Sequence, residues 1–184
     1  MNHVFKWIES PVGLLKLVGN EAGLSALLWE NDRPQRVRLG AMVENPVHPV
    51  LCRAERQLAE YFRGERRAFD IELAFVGTPF QNMVWRALLT IPYGETRSYS
   101  QIAHQVGNPK AVRAVGAANG RNPISIITPC HRVIGASGTL TGFAGGLEAK
   151  RHLLDLEIQG ETRNVGEPQG FSGDPIRHPP AIHT

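Results

Sequence analysis

Cys130 stands between Pro129 and the His131-Arg132-Val133 run, directly after the apolar stretch Ile124-Ser125-Ile126-Ile127, which reads as a strand. A thiol attacks as its thiolate, and a free cysteine with a pKa of ~8.5 is mostly protonated at neutral pH. A basic partner within hydrogen-bond reach is the usual remedy, and a carboxylate behind that base orients the imidazole. His131 is the neighbouring base. Adjacent side chains meet awkwardly, so a bridging water suits the pair better than direct contact. Three acids on the following helical stretch, Glu148, Asp155 and Glu157, are all open as the carboxylate. The other cysteine, Cys52, lies between Leu51 and Arg53 without such partners and reads as structural.

Composition narrows the class. The chain has 184 residues, 42% apolar and 20% charged, which suits one large domain or two small ones around a common core. No apolar run reaches the ~18 residues of a membrane span. The N-terminus, Met1-Asn2-His3-Val4-Phe5-Lys6, lacks a secretory h-region, and two cysteines make no disulfide framework, so a reducing, cytoplasmic setting is expected. Neither the cysteines nor the histidines have zinc-ligand spacing, and Gly142, Gly145 and Gly146 form no phosphate-binding fingerprint; no metal and no cofactor are expected. Net charge is only +3, but residues 78–125 carry Arg86, Arg97, Lys110, Arg113 and Arg121 against the single acid Glu95. A local basic surface of this kind points to nucleic acid.

The elements that must position these groups divide the chain in two. Residues 1–76 read as a three-strand antiparallel meander, a loop over 31–46, a helix from Pro49 to Gly64 and a further strand through Phe69, Ile71 and Leu73. Thr78-Pro79-Phe80-Gln81 then combines an N-cap, a first-position proline and a capping-box glutamine. It opens a mostly helical unit over 77–158, whose last helix runs from Gly146 to Ile158. Residues 159–184 have no periodicity and read as a flexible tail. The fold class is α+β.

Within the second unit, Tyr99, Ile102, Ala103 and Val106 share one helical face, Gly107 suits the position after that helix, and Asn108-Pro109 opens a second helix from Lys110 to Asn119. Such a pair is a helix-turn-helix. Its second helix is built largely of small residues, Ala111, Ala114 and Gly116 among them, with Arg113 the long exception. Few side chains there reach base edges in a major groove, whereas small residues allow close approach to a minor groove. A sequence-specific regulator without chemistry fits this helix poorly; a hydrolytic thiol enzyme acting on small substrates would have no use for it.

The Pro-Cys-His-Arg-Val block, Asn122-Pro123 before it, Arg113-Ala114-Val115-Gly116, Gly145-Gly146 and Glu157 together resemble the O6-alkylguanine-DNA alkyltransferases, also called methylated-DNA–protein-cysteine methyltransferases. The resemblance is close over residues 78–158; over the N-terminal unit it extends to the general layout, a ribonuclease H-like one in that family. It implies direct-reversal DNA repair, in which the protein binds duplex DNA through the minor groove, flips out an O6-alkylguanine and moves the alkyl group irreversibly to its own cysteine. O4-alkylthymine is a further implied substrate. The implied partner is damaged double-stranded DNA, with the protein acting as a monomer, cooperatively on DNA in some settings.

Residue by residue, the resemblance makes Cys130 the acceptor, His131 its base through a water, and Glu157 the carboxylate that holds the histidine. It makes Asn122 the brace of the acceptor loop, Arg113 the finger that fills the gap left by the flipped base, and Tyr99 the group that helps rotate the nucleotide and protonate the departing guanine. Ala111, Ala114 and Gly116 become DNA contacts, and Phe143, Ala144 and Val133 the base pocket. Three positions depart from common family patterns. Phe143 replaces a tyrosine, Ala144 stands where some members have serine, and Ser125 replaces a pocket proline, which leaves more room for bulky adducts. The zinc ligands of some members are absent.

Overall fold

The computed structural model describes residues 2–165, with side chains to residue 162. The N-terminal part is a four-stranded sheet and one helix. β1 (His3–Ile8), β2 (Leu15–Asn20) and β3 (Gly23–Trp29) form the expected antiparallel meander, and α1 (Pro49–Phe62) follows where its apolar spacing predicts. A short β4 (Met42–Glu44) pairs parallel with β1 inside the segment read as a loop, giving the order β3-β2-β1-β4. Its three residues, Met42-Val43-Glu44, are too few to carry a period-2 signal.

The strand expected through Phe69, Ile71 and Leu73 is a single bridge. Glu72 accepts from the Leu24 amide and Ala74 donates to the Leu24 carbonyl, both at 2.8 Å. Further along the same edge of β3, the Leu27 amide donates to the Pro123 carbonyl at 2.9 Å, and Leu27 bridges to Ile124. Two distant segments thus share one strand edge, and neither has room to become a full strand.

That arrangement also corrects the reading of residues 124–127. They are not a strand but a buried irregular loop. Ile126 has φ 73°, a left-handed conformation that a β-branched residue adopts only under constraint. Cys130 opens a single 3-10 turn, Cys130–Arg132, before β6 (Val133–Ile134), which pairs parallel with β5 (Arg97–Ser98).

The rest is helical: α2 (Pro79–Leu88), α3 (Tyr99–Gln105), α4 (Val112–Gly120) and α5 (Gly146–Val165). Complete capping boxes start α2 at Thr78 with Gln81 and α3 at Ser98 with Gln101. Gly107, at φ 78°, turns the chain after α3. α4 begins two residues later than its sequence signal predicts, with Ala111 as N-cap, because Asn108-Pro109-Lys110 form a turn rather than a first helical coil. α5 continues to Val165, past the predicted end at Ile158; the rest of the expected tail, 166–184, lies outside the described residues.

Two apolar clusters meet at the loop before Cys130. One joins the sheet, α1 and α5 through Leu17, Leu27, Leu58, Ile124 and Leu153; the other joins α2, α3 and α4 around Trp85, Ile102 and Val115, and includes Cys130. Among the described residues, no helix is long and apolar enough to cross a membrane.

The tightest turn supplies a test of this packing. Gly23 has φ 137°, and an added Cβ would lie 2.4 Å from the Glu72 carbonyl oxygen. Gly23→Ala is expected to destabilise the protein by about 2–3 kcal/mol, read as a lower midpoint in urea unfolding; an unchanged midpoint would refute the close approach of 72–74 to β3.

Candidate active site

Glu157 organises the site. On α5, Lys150, Leu153 and Glu157 fall on one buried face at spacings of three and four, so the helix carries a lysine and a carboxylate inward with its apolar residues. Glu157 Oε1 accepts from His131 Nε2 at 2.7 Å, from the Tyr61 hydroxyl at 2.7 Å and from an Arg132 terminal nitrogen at 3.0 Å. Its Oε2 accepts from Arg132 Nε at 2.9 Å and from the Gly94 amide at 3.1 Å. Of the three acids open from the sequence, only Glu157 meets His131; Glu148 and Asp155 are exposed.

Burial by itself raises the Glu157 carboxyl pKa, but the hydrogen bonds from His131 and Arg132 and the charge of Arg132 outweigh it and hold the group at about 2. His131 is fully buried, and desolvation lowers its pKa against the opposing pull of Glu157. It therefore rests neutral. With its Nε2 proton donated to Glu157, Nδ1 carries the free lone pair. That atom is buried and meets no protein hydrogen-bond partner.

Cys130 is 3% exposed. Burial raises its pKa, partly countered by the Asn122 amide, the charges of Arg36 and Lys150, and the Ser125 hydroxyl. The resting group is thus a thiol, not the preformed thiolate that a Cys-His pair suggests, and no hydrogen bond joins it directly to His131. Asn122 spans the loop from within: its side-chain nitrogen donates to the Thr128 carbonyl at 2.8 Å, and its side-chain oxygen accepts from the Ile124 amide at 3.1 Å. Arg36, from the N-terminal part, binds the Asn122 carbonyl while its Nε pairs with Asp32 at 2.6 Å.

Beside this cluster opens a cavity of about 640 Å³, walled by Tyr99 and Gly116 of the helix pair, Phe143 and Ala144, Arg121 and the 31–36 loop. Tyr99 is tethered to Thr141 by a 2.7 Å hydroxyl–hydroxyl contact. Phe143 packs edge-on against Trp29, with ring centroids 5.4 Å apart, and against His131 at 6.5 Å. The Trp29 ring leaves no space for a side chain at Gly145, where a Cβ would fall 2.6 Å away. Val133, expected in the pocket, is fully buried behind the wall; its carbonyl accepts from Lys150 Nζ at 2.6 Å, and Lys150 also holds the Thr141 carbonyl at 3.1 Å.

The exposed side of α4 presents Arg113, Ala114 and Ala117, continuing to Arg121, with Ala111 half-buried at its start. Arg86 and Lys110 are exposed as well, whereas Arg97 pairs with Glu95 at 2.8 Å. No group of three or more potential metal ligands occurs among the described residues.

Sequence reasoning missed Tyr61, Arg132, Lys150, Arg36 and Trp29. Lys150 had a visible signal, a lysine on the apolar face of its helix. Arg132 was seen only as a neighbour of the Cys-His pair. Tyr61 and Trp29 read as ordinary core aromatics, and nothing local marks Arg36.

Two family descriptions match the chain: 6-O-methylguanine DNA methyltransferase, ribonuclease-like domain, over residues 4–75, and the DNA binding domain of the same name over residues 79–159. A methylated-DNA–protein-cysteine methyltransferase of Mycolicibacterium paratuberculosis is 54% identical over 153 residues, covering 83% of this chain and 91% of the relative. Its counterpart in Methanosarcina acetivorans is 53% identical over 149 residues, covering 81% and 94%. The crystal structure of Mycobacterium tuberculosis OGT in complex with DNA matches with a TM-score of 0.77 at 50% identity, over 87% of this chain and 94% of that one. The M. tuberculosis O6-methylguanine methyltransferase gives 0.78 at 47% identity, over 92% and 98%.

The Glu157 cluster predicts a pH dependence. A carboxyl held near 2 in the fold, against an ordinary value of 4.5, stabilises the protein above pH 4.5, and that stabilisation is lost as pH falls through 2. Glu157→Gln should cost on the order of 3 kcal/mol at pH 7, with the gap from wild type closing as pH drops from 4.5 towards 2. Urea unfolding at stepped pH checks this, and a constant gap would contradict it.

Proposed function

This chain belongs to the 6-O-methylguanine DNA methyltransferase family, and from that membership we propose that it repairs O6-alkylguanine in duplex DNA by moving the alkyl group onto its own Cys130. The observation that carries the residue assignment is the buried line from Cys130 past His131 to Glu157. His131 keeps a bare Nδ1 because Glu157 fixes the proton on Nε2.

In the reaction, the Cys130 proton passes through a water to His131 Nδ1, and Glu157 stabilises the imidazolium. The thiolate attacks the alkyl carbon, an S–C bond forms and the C–O6 bond breaks. The departing guanine takes up a proton, for which the Tyr99 hydroxyl on the cavity wall is the donor we assign. The thioether has no route to hydrolysis, so each molecule reacts once. A raised thiol pKa is compatible with this, since a less acidic thiol gives a more nucleophilic thiolate once the proton is drawn off.

Because O6 is unreachable inside the stack, the target base must leave the duplex, at a cost of a few kcal/mol. Arg113, exposed on α4 among small residues, is assigned to the vacated space. Ala111, Ala114 and Gly116 let the helix come close to the minor groove. Phe143 and Ala144 form the base pocket beside Tyr99 and Gly116; Val133 supports that pocket through Lys150. The same reading places the protein in the cytoplasm, acting as a monomer on DNA, with O4-alkylthymine as a further substrate.

Incubation with a duplex bearing O6-methylguanine, followed by intact-protein mass spectrometry, tests the reading. We expect one methyl per molecule, on Cys130, without turnover. Cys130→Ser should take up none while still binding DNA. Methyl found on Cys52, or a second equivalent repaired, would overturn the assignment.

A paired rate measurement tests Arg113. Arg113→Ala should slow repair of duplex DNA by about 10-fold or more, the equivalent of ~1.4 kcal/mol of lost support for the flipped state, while transfer from free O6-benzylguanine stays near wild type. Equal fractional losses on both substrates would remove Arg113 from base flipping.

A further inference from the structure

The N-terminal part reaches Glu157 through one polar side chain. Tyr61, near the end of α1, is fully buried, and its hydroxyl lies 2.7 Å from the same Glu157 oxygen that accepts from His131. Its ring packs among Phe62, Phe69 and Tyr93, at centroid distances of 5.5, 5.5 and 6.2 Å. A phenylalanine would make those ring contacts equally well. The hydroxyl is therefore the part that packing does not explain.

Its position is unusual in one respect. Glu157 Oε1 has two lone pairs and three donors, Tyr61, His131 and Arg132, whereas Oε2 has two donors for two lone pairs. Donors at an oversubscribed oxygen weaken one another. We propose that Tyr61 is a positioning residue for alkyl transfer: sharing Oε1 with His131, it sets where the carboxylate holds the imidazole and moderates how strongly it draws the imidazole's proton.

This rests on Cys130 and His131 being acceptor and base. The phenol must be the donor, because an ionised carboxylate can only accept. Burial and the charge of Glu157 both keep Tyr61 protonated. The other titratable or charged groups facing the pair are Arg132, Lys150 and Cys130 around His131, and Arg132 and Tyr93 around Glu157, with Arg67 and Glu161 beyond Tyr93. Tyr61 is the only group in this set contributed by α1.

Tyr61→Phe removes the competing donor and keeps the ring. Glu157 then pulls harder on His131, the imidazolium is favoured, and His131 is freed of its proton only at higher pH. The acid limb of the pH–rate profile for transfer from free O6-benzylguanine should move up by roughly 0.5–1 pH unit, and the His131 Nε2 resonance in histidine-15N-labelled protein should shift with it. 3-Fluorotyrosine placed at position 61, a stronger donor in the same volume, should move both the other way, and it decides the matter should Tyr61→Phe not fold. An acid limb and a ring resonance that stay at wild-type values in the folded variants would overturn the proposal, even with lowered thermal stability. If the wild type takes up no benzyl group, the acceptor reading fails instead, and the ring resonance still reports on Tyr61.

Discussion

A single carboxylate in a dry interior is the constraint to which the rest of the site answers. Glu157 is 1% exposed, and an unpaired charge at such a place would cost many kcal/mol. Five hydrogen bonds from four residues on three stretches of chain meet that demand. Each donor is held in place as a result: α1 through Tyr61, the turn before β5 through Gly94, and the Cys130–Arg132 turn through His131 and Arg132. Arg132 brings the permanent positive charge to Glu157, and burial, helped by that charge, keeps His131 neutral.

The loop before Cys130 is held by a second set of contacts that never touch Glu157. Pro123 and Ile124 dock on the free edge of β3, Asn122 ties the two ends of the loop together, and Arg36 grips the Asn122 carbonyl from the other domain. These bonds account for a left-handed isoleucine at 126, since the conformation persists only where the surroundings over-determine it. The N-terminal part is thus more than an appendage. It closes a strand edge with the loop, braces Phe143 with Trp29, and sends Tyr61 to the carboxylate.

The readable part of this architecture was the part encoded locally. The capping box at Thr78, the turn glycine at 107 and the apolar stripes of α1, α2 and α3 are short-range signals, and each marks a real element. The Cys-His pair, Asn122 and Glu157 were legible as a group only through a family resemblance; spacing alone left three acids open. What stayed hidden depends on long-range pairing. Residues 69–73 and 124–127 have strand-like patterns, yet both compete for the edge of β3, and a pattern says nothing of competition. Tyr61 and Glu157 are 96 residues apart in the chain, and no local rule distinguishes a core tyrosine that packs from one that also donates.

The contrast between the two cysteines has a consequence of its own. Cys52 is exposed, whereas Cys130 is sealed in and held as a thiol by its surroundings. Under the proposed reaction each molecule is used once, so every stray oxidant or electrophile that reaches Cys130 shortens its useful life. Thiolate character and access govern such side reactions, and burial limits both at Cys130. Keeping the acceptor thiol dormant is therefore a form of inventory control: the number of lesions a cell can repair depends on how many copies are still unreacted when damage comes.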